Sequence, residues 1–189
     1  MKVLTLAQLI EHSACEAEVK LFKKHFKKSV IVTEELAVSL AHVFDFRWAN
    51  RNLLVVKHKA RYQEVCQPAW DEYAKVRLAA CGEYERTRSI AWEEFEIVSR
   101  PAQAKYQRVC SAAQARHSTG GAYSYDEHEK VREPARAEYE KASAPARAKY
   151  EKARFAARDE YNKVLDAALA KYQIVNAVAF AKLYNADQT

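Results

Sequence analysis

From Val56 to Asp187 the apolar positions recur every eleven residues, through twelve consecutive blocks without loss of register. The blocks read QPAWDEYAKVR, LAACGEYERTR, SIAWEEFEIVS and RPAQAKYQRVC and, after a divergent middle, EPARAEYEKAS, APARAKYEKAR, FAARDEYNKVL and DAALAKYQIVN. Alanine holds the third position in most of them, tyrosine the seventh in eight with Phe95 in a ninth, and valine the tenth in seven. Eleven residues close three helical turns at about 3.67 residues per turn, so the pattern is a helical stripe that drifts slowly around its axis. Ala69, Tyr73 and Val76, and equally Ala157, Tyr161 and Val164, share one face. That face predicts a seam: alanine lets a partner helix approach, while each tyrosine lays its ring on the seam and sends its hydroxyl outward.

The pattern fails once, where His117, Ser118, Thr119, Gly120, Gly121 and Ala122 replace the Tyr-x-x-Val core. Adjacent glycines after small polar residues are turn chemistry, which places a reversal at 118–121 between two nearly equal arms. Each arm would extend on the order of 90 Å as a continuous helix. Pro68, Pro101, Pro134 and Pro145 all occupy the second position of a block. Proline removes a helical hydrogen bond and crowds the preceding turn, so their common phase predicts kinks toward one face; breaks into shorter helices capped by Ser99 and Ser143 are the alternative.

Residues 1–55 lack the repeat and read as a small helical cap. Thr5 is a candidate N-cap for a helix bearing Leu6, Leu9 and Ile10, and a second helix carries Val19, Phe22 and Phe26 on one face. The SVIVT stretch is expected to be a link, Thr33 caps a third helix with Leu36, Leu40 and Phe44, and FDFRWANRNLL forms a fourth. The expected fold is therefore all-α: a cap over 1–55 and a long antiparallel, coiled-coil-like helical hairpin over 56–187.

Only 3 glycines and 4 prolines in 189 residues, with 30% charged side chains, fit long helices. The net charge of +6 is spread among paired signs and permits an acidic partner without requiring one. The opening MKVLTLAQLIEHSACEAEVKLF lacks the form of a signal peptide, and no stretch reads as the roughly 18 apolar residues of a spanning helix, so a cytoplasmic protein with no membrane contact is expected. Cys15, Cys66, Cys81 and Cys110 form no CxxC pair and read as small apolar helix residues rather than metal ligands.

Three groups are candidate partner-binding residues. Lys20, Lys23, Lys24, Lys27 and Lys28 fall at i, i+3, i+4, i+7 and i+8, a basic stripe opposite Val19, Phe22 and Phe26. Arg136, Arg147 and Arg158 form a ladder at the fourth position, partly offset by Glu140 and Glu151 four residues downstream of the first two. Trp70 and Trp92 share a face 22 residues apart, either packing across the hairpin or anchoring a partner. His117 and His128 flank the glycines as a polar tip, too few for a metal site. The pattern contains no GxSxG, HExxH, P-loop or GxGxxG motif, and neither catalysis nor a cofactor is expected.

The cap pattern Ala14-Cys15, Leu21-Phe22, Phe26, Trp48-Ala49, Leu53-Leu54, with the APARAKYEKA unit at 144–153, resembles a group of uncharacterised proteins of tailed phages and prophages. The chain departs from their pattern in having KKS at 27–29 where an FG turn is usual. The resemblance implies a phage-encoded accessory protein. The leading expectation is a non-enzymatic interaction protein that binds a host or phage protein, inhibition of a defence or nucleic-acid-processing complex included. The alternatives are a nucleic-acid binder using the lysine stripe and arginine ladder, and a spacer or assembly scaffold that forms homo-oligomers.

Overall fold

Ala, Glu, Lys and Arg are strong helix formers, and the repeat folds as two long helices that pack against each other. The computed structural model describes residues 1–118 and 125–186, with 117, 118 and 125–127 described by backbone alone. The elements are β1 (Val3–Thr5), α1 (Leu6–Glu11), α2 (Glu16–Phe26), β2 (Ser29–Ile31), α3 (Glu34–Ser39), α4 (Phe46–Leu53), α5 (Val56–Ser118) and α6 (Tyr125–Asn185). Of the expected reversal at 118–121, Thr119, Gly120 and Gly121 lie outside the described residues. The chain divides into two compact units, one comprising Met1–Leu78 with Lys163–Thr189 and the other Ala79–Asn162.

In the first unit the expected caps are present. Thr5 and Gln8 form a capping box on α1, the Thr5 hydroxyl accepting from the Gln8 amide at 3.2 Å while Gln8 Oε1 accepts from the Thr5 amide at 2.9 Å. Thr33 caps α3, and the Asp45 carboxylate caps α4 by accepting from the Arg47 and Trp48 amides at 2.9 and 3.1 Å. The SVIVT stretch is not a plain link. Ser29–Ile31 pairs antiparallel with Val3–Thr5, Val3 opposite Ile31, so the cap holds a two-stranded sheet as well as helices. Two β-branched residues in succession favour that strand, and its three-residue length left no alternation to read.

The cap does not build its core alone. Val32, Ala37, Ala41, Ala49 and Leu54 bury against Tyr62 and Cys66 of α5 and Ala177, Ala179, Phe180, Ala181 and Tyr184 of α6. A 55-residue cap is marginal as an independent core, and here the long helices supply much of its apolar surface. Because Ala177, Ala179, Phe180 and Ala181 face inward on several sides, this end of α6 is apolar nearly all round. That corrects one expectation: α6 contains a window long and apolar enough, by length and composition, to cross a membrane.

One polar network is buried at the edge of this core. The Tyr62 hydroxyl donates to Asn176 Oδ1 at 2.6 Å, and Asn176 Nδ2 donates to the Tyr172 carbonyl at 2.6 Å. Burial, then the adjacent Cys66, pushes the Tyr62 phenol well above its ordinary range. Burial likewise raises the Cys66 thiol to about 11, so both groups stay protonated at neutral pH.

Glu18 lines an apolar cavity of about 70 Å³ beside Phe22, Phe26, Phe44 and Trp48. Desolvation there raises its carboxyl above the ordinary value, against a lowering hydrogen bond from the Asp45 backbone. The folded state therefore keeps this proton above pH 4.5, where the unfolded chain has released it, and stability falls as pH rises through that window. Glu18→Gln should gain in urea midpoint on the native chain between about pH 4 and pH 7. A constant difference across that range would refute the assignment.

In the second unit, seventh-position rings meet in rungs. Tyr84 meets Tyr161 at 6.0 Å between centroids, Phe95 meets Tyr150 at 6.2 Å and Tyr106 meets Tyr139 at 6.0 Å. Each rung advances eleven residues along α5 and retreats eleven along α6, which fixes an antiparallel register. The first unit has its own rung, Tyr73 on Tyr172, stacked at 5.9 Å.

The expected Ala/Tyr/Val stripe is present in part: Ala69, Tyr73 and Val76, and Ala157, Tyr161 and Val164, are all half-buried, but the eleventh position joins the seam. Ser99 and Ser143, at the eleventh position, are 2% and 3% exposed, whereas the tenth-position Val98 and Val131 are 51% and 37% exposed. Steps of three and of four from the aromatic both stay on one helical face, so periodicity alone could not choose between them. At Ser99 and Ser143 the small eleventh-position side chain faces inward, while the tenth-position valines divide, Val65, Val98 and Val131 exposed and Val76, Val109, Val164 and Val175 half-buried. Ser99 and Ser143 are thus mid-helix seam residues, not caps. α5 and α6 also run through all four prolines unbroken, and every proline is exposed.

Candidate functional site

Each half-exposed tryptophan joins a rung. In the first unit Trp70 lies 5.6 Å from Tyr73 and 5.4 Å from Tyr172; in the second, Trp92 lies 5.3 Å from Phe95 and 5.5 Å from Tyr150. Both indoles therefore pack across the two helices, yet 39% of Trp70 and 47% of Trp92 stay open to solvent. The two readings of these residues describe two faces of the same rings.

Beside Trp70 opens a pocket of about 480 Å³, lined by Arg47, Asn50 and Arg51 of α4, Tyr62, Gln63, Cys66 and Gln67 of α5, and Tyr172 and Asn176 of α6. The Asp45 cap starts α4 so that Arg47, Asn50 and Arg51, at i, i+3 and i+4, share the face that looks into it. Among the described residues no carboxylate lines this pocket and neither guanidinium has an ion-pair partner, while an adjoining pocket that shares Arg47, Tyr172 and Asn176 is lined by Glu18 and Asp45. Asn50 is 7% exposed and its Oδ1 has no hydrogen-bond partner. Of the acids beside the lining residues along α5, Glu64 pairs with Arg61 at 2.9 Å and Asp71 accepts a 2.7 Å hydrogen bond from Gln67.

Beside Trp92 a pocket of about 450 Å³ also has two arginines, but their charge is already engaged. Arg88 pairs with Glu85 at 3.2 Å, Arg154 lies over the Tyr150 and Phe155 rings at 5.8 and 5.0 Å, and Glu93 lines the wall. On the same unit, Ala91, Phe95, Ile97, Val98, Ala146, Tyr150 and Ala153 line an apolar groove of about 500 Å³. Ile97 is 74% exposed, and the Glu94–Lys149 ion pair, 2.7 Å, sits at the groove.

Comparison with family models, curated proteins and solved structures finds no match. The chemistry of these surfaces rests on their own residues.

The lysine stripe is shorter than its spacing predicted. α2 ends at Phe26, and Lys27 adopts a left-handed backbone with φ 59°, so Lys27 and Lys28 belong to the turn before β2 instead of the helix face. Lys20 pairs with Glu16 at 2.7 Å, both largely exposed, a contact worth little. Lys23, Lys24, Lys27 and Lys28 are exposed. The arginine ladder is spent unevenly: Arg136 bonds Glu140 at 2.8 Å, Arg158 lies 5.6 Å from the Phe155 ring, and Arg147 is exposed. Successive members stand about 16 Å apart along the helix. They form no joint site.

All four cysteines are free; Cys66 is buried, Cys110 half-buried, and Cys15 and Cys81 exposed, with Cys15 at the N-cap of α2 rather than on a packed face. Among the described residues no three of His, Cys, Asp and Glu converge on a metal-sized gap. The side chain of His117 lies outside the described residues. Sequence reasoning missed Arg47, Asn50 and Arg51. Two arginines at i, i+4 with no acid within a helical turn downstream were the available signal, obscured by the denser lysines of α2.

Proposed function

We propose that this chain is a non-enzymatic interaction protein that binds another protein through the apolar groove of its second unit. The carrying observation is Ile97 and Val98 left 74% and 51% exposed at that groove on a surface otherwise laced with charge. Exposed apolar side chains clustered around a concavity are costly unless a partner covers them, and aromatic anchors ringed by polar groups concentrate binding energy. The groove suits an amphipathic helix presenting small apolar residues, with Glu94 and Lys149 to orient it. The resemblance of cap and repeat to tailed-phage proteins supports an accessory role in an infected bacterium, acting on a host or phage complex, inhibition of a defence system included.

Ile97→Glu, a change on an exposed side chain, should leave the helical circular dichroism intact and reduce capture of the bound protein from infected cells at least about tenfold, the scale of a hot-spot residue. Equal capture by both chains would sink the reading. Light scattering showing a concentration-dependent dimer that Ile97→Glu dissolves would replace it with self-assembly, the scaffold alternative.

A further inference from the structure

We infer that the pocket beside Trp70 is a nucleotide site, taking a planar heterocycle that carries a phosphate. Three features of the first unit converge on that ligand class, independently of the protein-binding groove.

Charge comes first. Arg47 and Arg51 are exposed at one edge of the pocket, one turn apart, and among the described residues neither has an ion-pair partner and no acid lines this wall. Paired guanidiniums with free forks are suited to bidentate capture of a phosphate. The Trp92 pocket is the internal comparison: there Arg88 and Arg154 are held by Glu85 and by rings, so the same residue types offer no vacant cation.

Aromatic surface comes next. Trp70 is 39% exposed, and the Tyr73–Tyr172 rung holds it from behind, so a ligand ring meets an indole that cannot swing away. Base–aromatic stacking of this kind tolerates any base.

The third feature is an orphaned acceptor. Asn50 is 93% buried by the complement of its 7% exposure, lines this pocket, and leaves Oδ1 without a donor. A buried unpaired amide oxygen costs about 1–3 kcal/mol, a cost lifted when a donor arrives. Rotation about its last side-chain bond, a broad torsion, turns that oxygen toward a ligand. Ring N–H and exocyclic amino groups of nucleobases are such donors. At about 480 Å³ the pocket lies within the ordinary range for small-molecule sites.

The phosphate-bearing heterocycle has two sources, a free nucleotide or the 5′-phosphorylated end of a nucleic-acid strand. Calorimetric titration of the full chain at low salt with adenosine and uridine monophosphates, with a 5′-phosphorylated tetranucleotide and with its 5′-hydroxyl counterpart separates them. A mononucleotide binding as tightly as the phosphorylated strand identifies the free nucleotide; binding confined to the phosphorylated strand identifies the strand end.

Arg47→Gln with Arg51→Gln, both at exposed positions, should weaken either ligand on the order of tenfold per guanidinium. Trp70→Ala should weaken it about tenfold or more. Lys23→Gln with Lys24→Gln should leave it unchanged, since those lysines lie outside the pocket. The inference is overturned by no heat from any ligand at millimolar concentration, by equal affinity for inorganic phosphate and the nucleotides, or by binding that tracks Lys23 and Lys24 in place of Arg47 and Arg51. None of these outcomes bears on Ile97, so this site and the protein-binding groove stand or fall separately.

Discussion

Replacing Phe180 with alanine is expected to destabilise the chain by about 3–5 kcal/mol, measured by urea denaturation at neutral pH. Phe180 is 1% exposed, stacks on Tyr184 at 5.2 Å and meets Phe46 of α4 at 5.7 Å. It also lines the apolar cavity beside Phe22 and Trp48, so truncation enlarges an existing void instead of letting neighbours collapse into a new one. The cost of a cavity grows with the space left behind, which puts this site toward the upper end of the range. A loss below about 1 kcal/mol would mean that cap and long helices do not share one core. The comparison variant is Phe155→Ala in the second unit. Phe155 is 45% exposed beneath Arg154 and Arg158, and its removal should cost far less.

Pro134→Ala is expected to act in the opposite direction, stabilising the chain by about 2–3 kcal/mol. Proline in a helix interior is about 3 kcal/mol worse than alanine, offset by up to about 1 kcal/mol because proline also restrains the unfolded chain. Pro134 lies inside α6 and is exposed, so alanine restores a hydrogen bond to the Lys130 carbonyl without entering any packed layer. Thermal unfolding of the two chains measures it directly. A neutral or destabilising result would show that the helix is bent at Pro134 and that the bend is required for packing.

The helices were legible because eleven residues close a whole number of turns, and no short-range competitor interrupts them. The caps at Thr5 and Thr33 were legible for a local reason, since a side-chain acceptor three residues before a free amide is a property of sequence spacing alone, whereas the Asp45 cap of α4 emerged only from the structure. Ser29–Ile31 was not, because a three-residue strand exists only through its partner at Val3–Thr5, more than twenty residues away. The inward turn of Ser99 and Ser143 in place of Val98 and Val131 depends on what the opposite helix presents, which periodicity does not encode. For the candidate sites the same division holds. Trp70 and Trp92 stand out by residue type, whereas the vacancy of Arg47 and Arg51 and the orphaned oxygen of Asn50 are statements about missing neighbours. Absence of a partner becomes visible only once the chain is folded.

The aromatic rungs carry one further consequence, for how such a chain can change over generations. Because each rung steps by one block on both helices, removing 100–110 together with 133–143 would delete the Tyr106–Tyr139 rung and leave Phe95 opposite Tyr150 as before. Gain or loss of one, two or five residues would rotate the remaining rings off the seam, and a gain or loss that is not a multiple of eleven breaks the even spacing of the rungs. Length here is quantised, and duplication or loss of whole blocks is the mutation the architecture absorbs most readily.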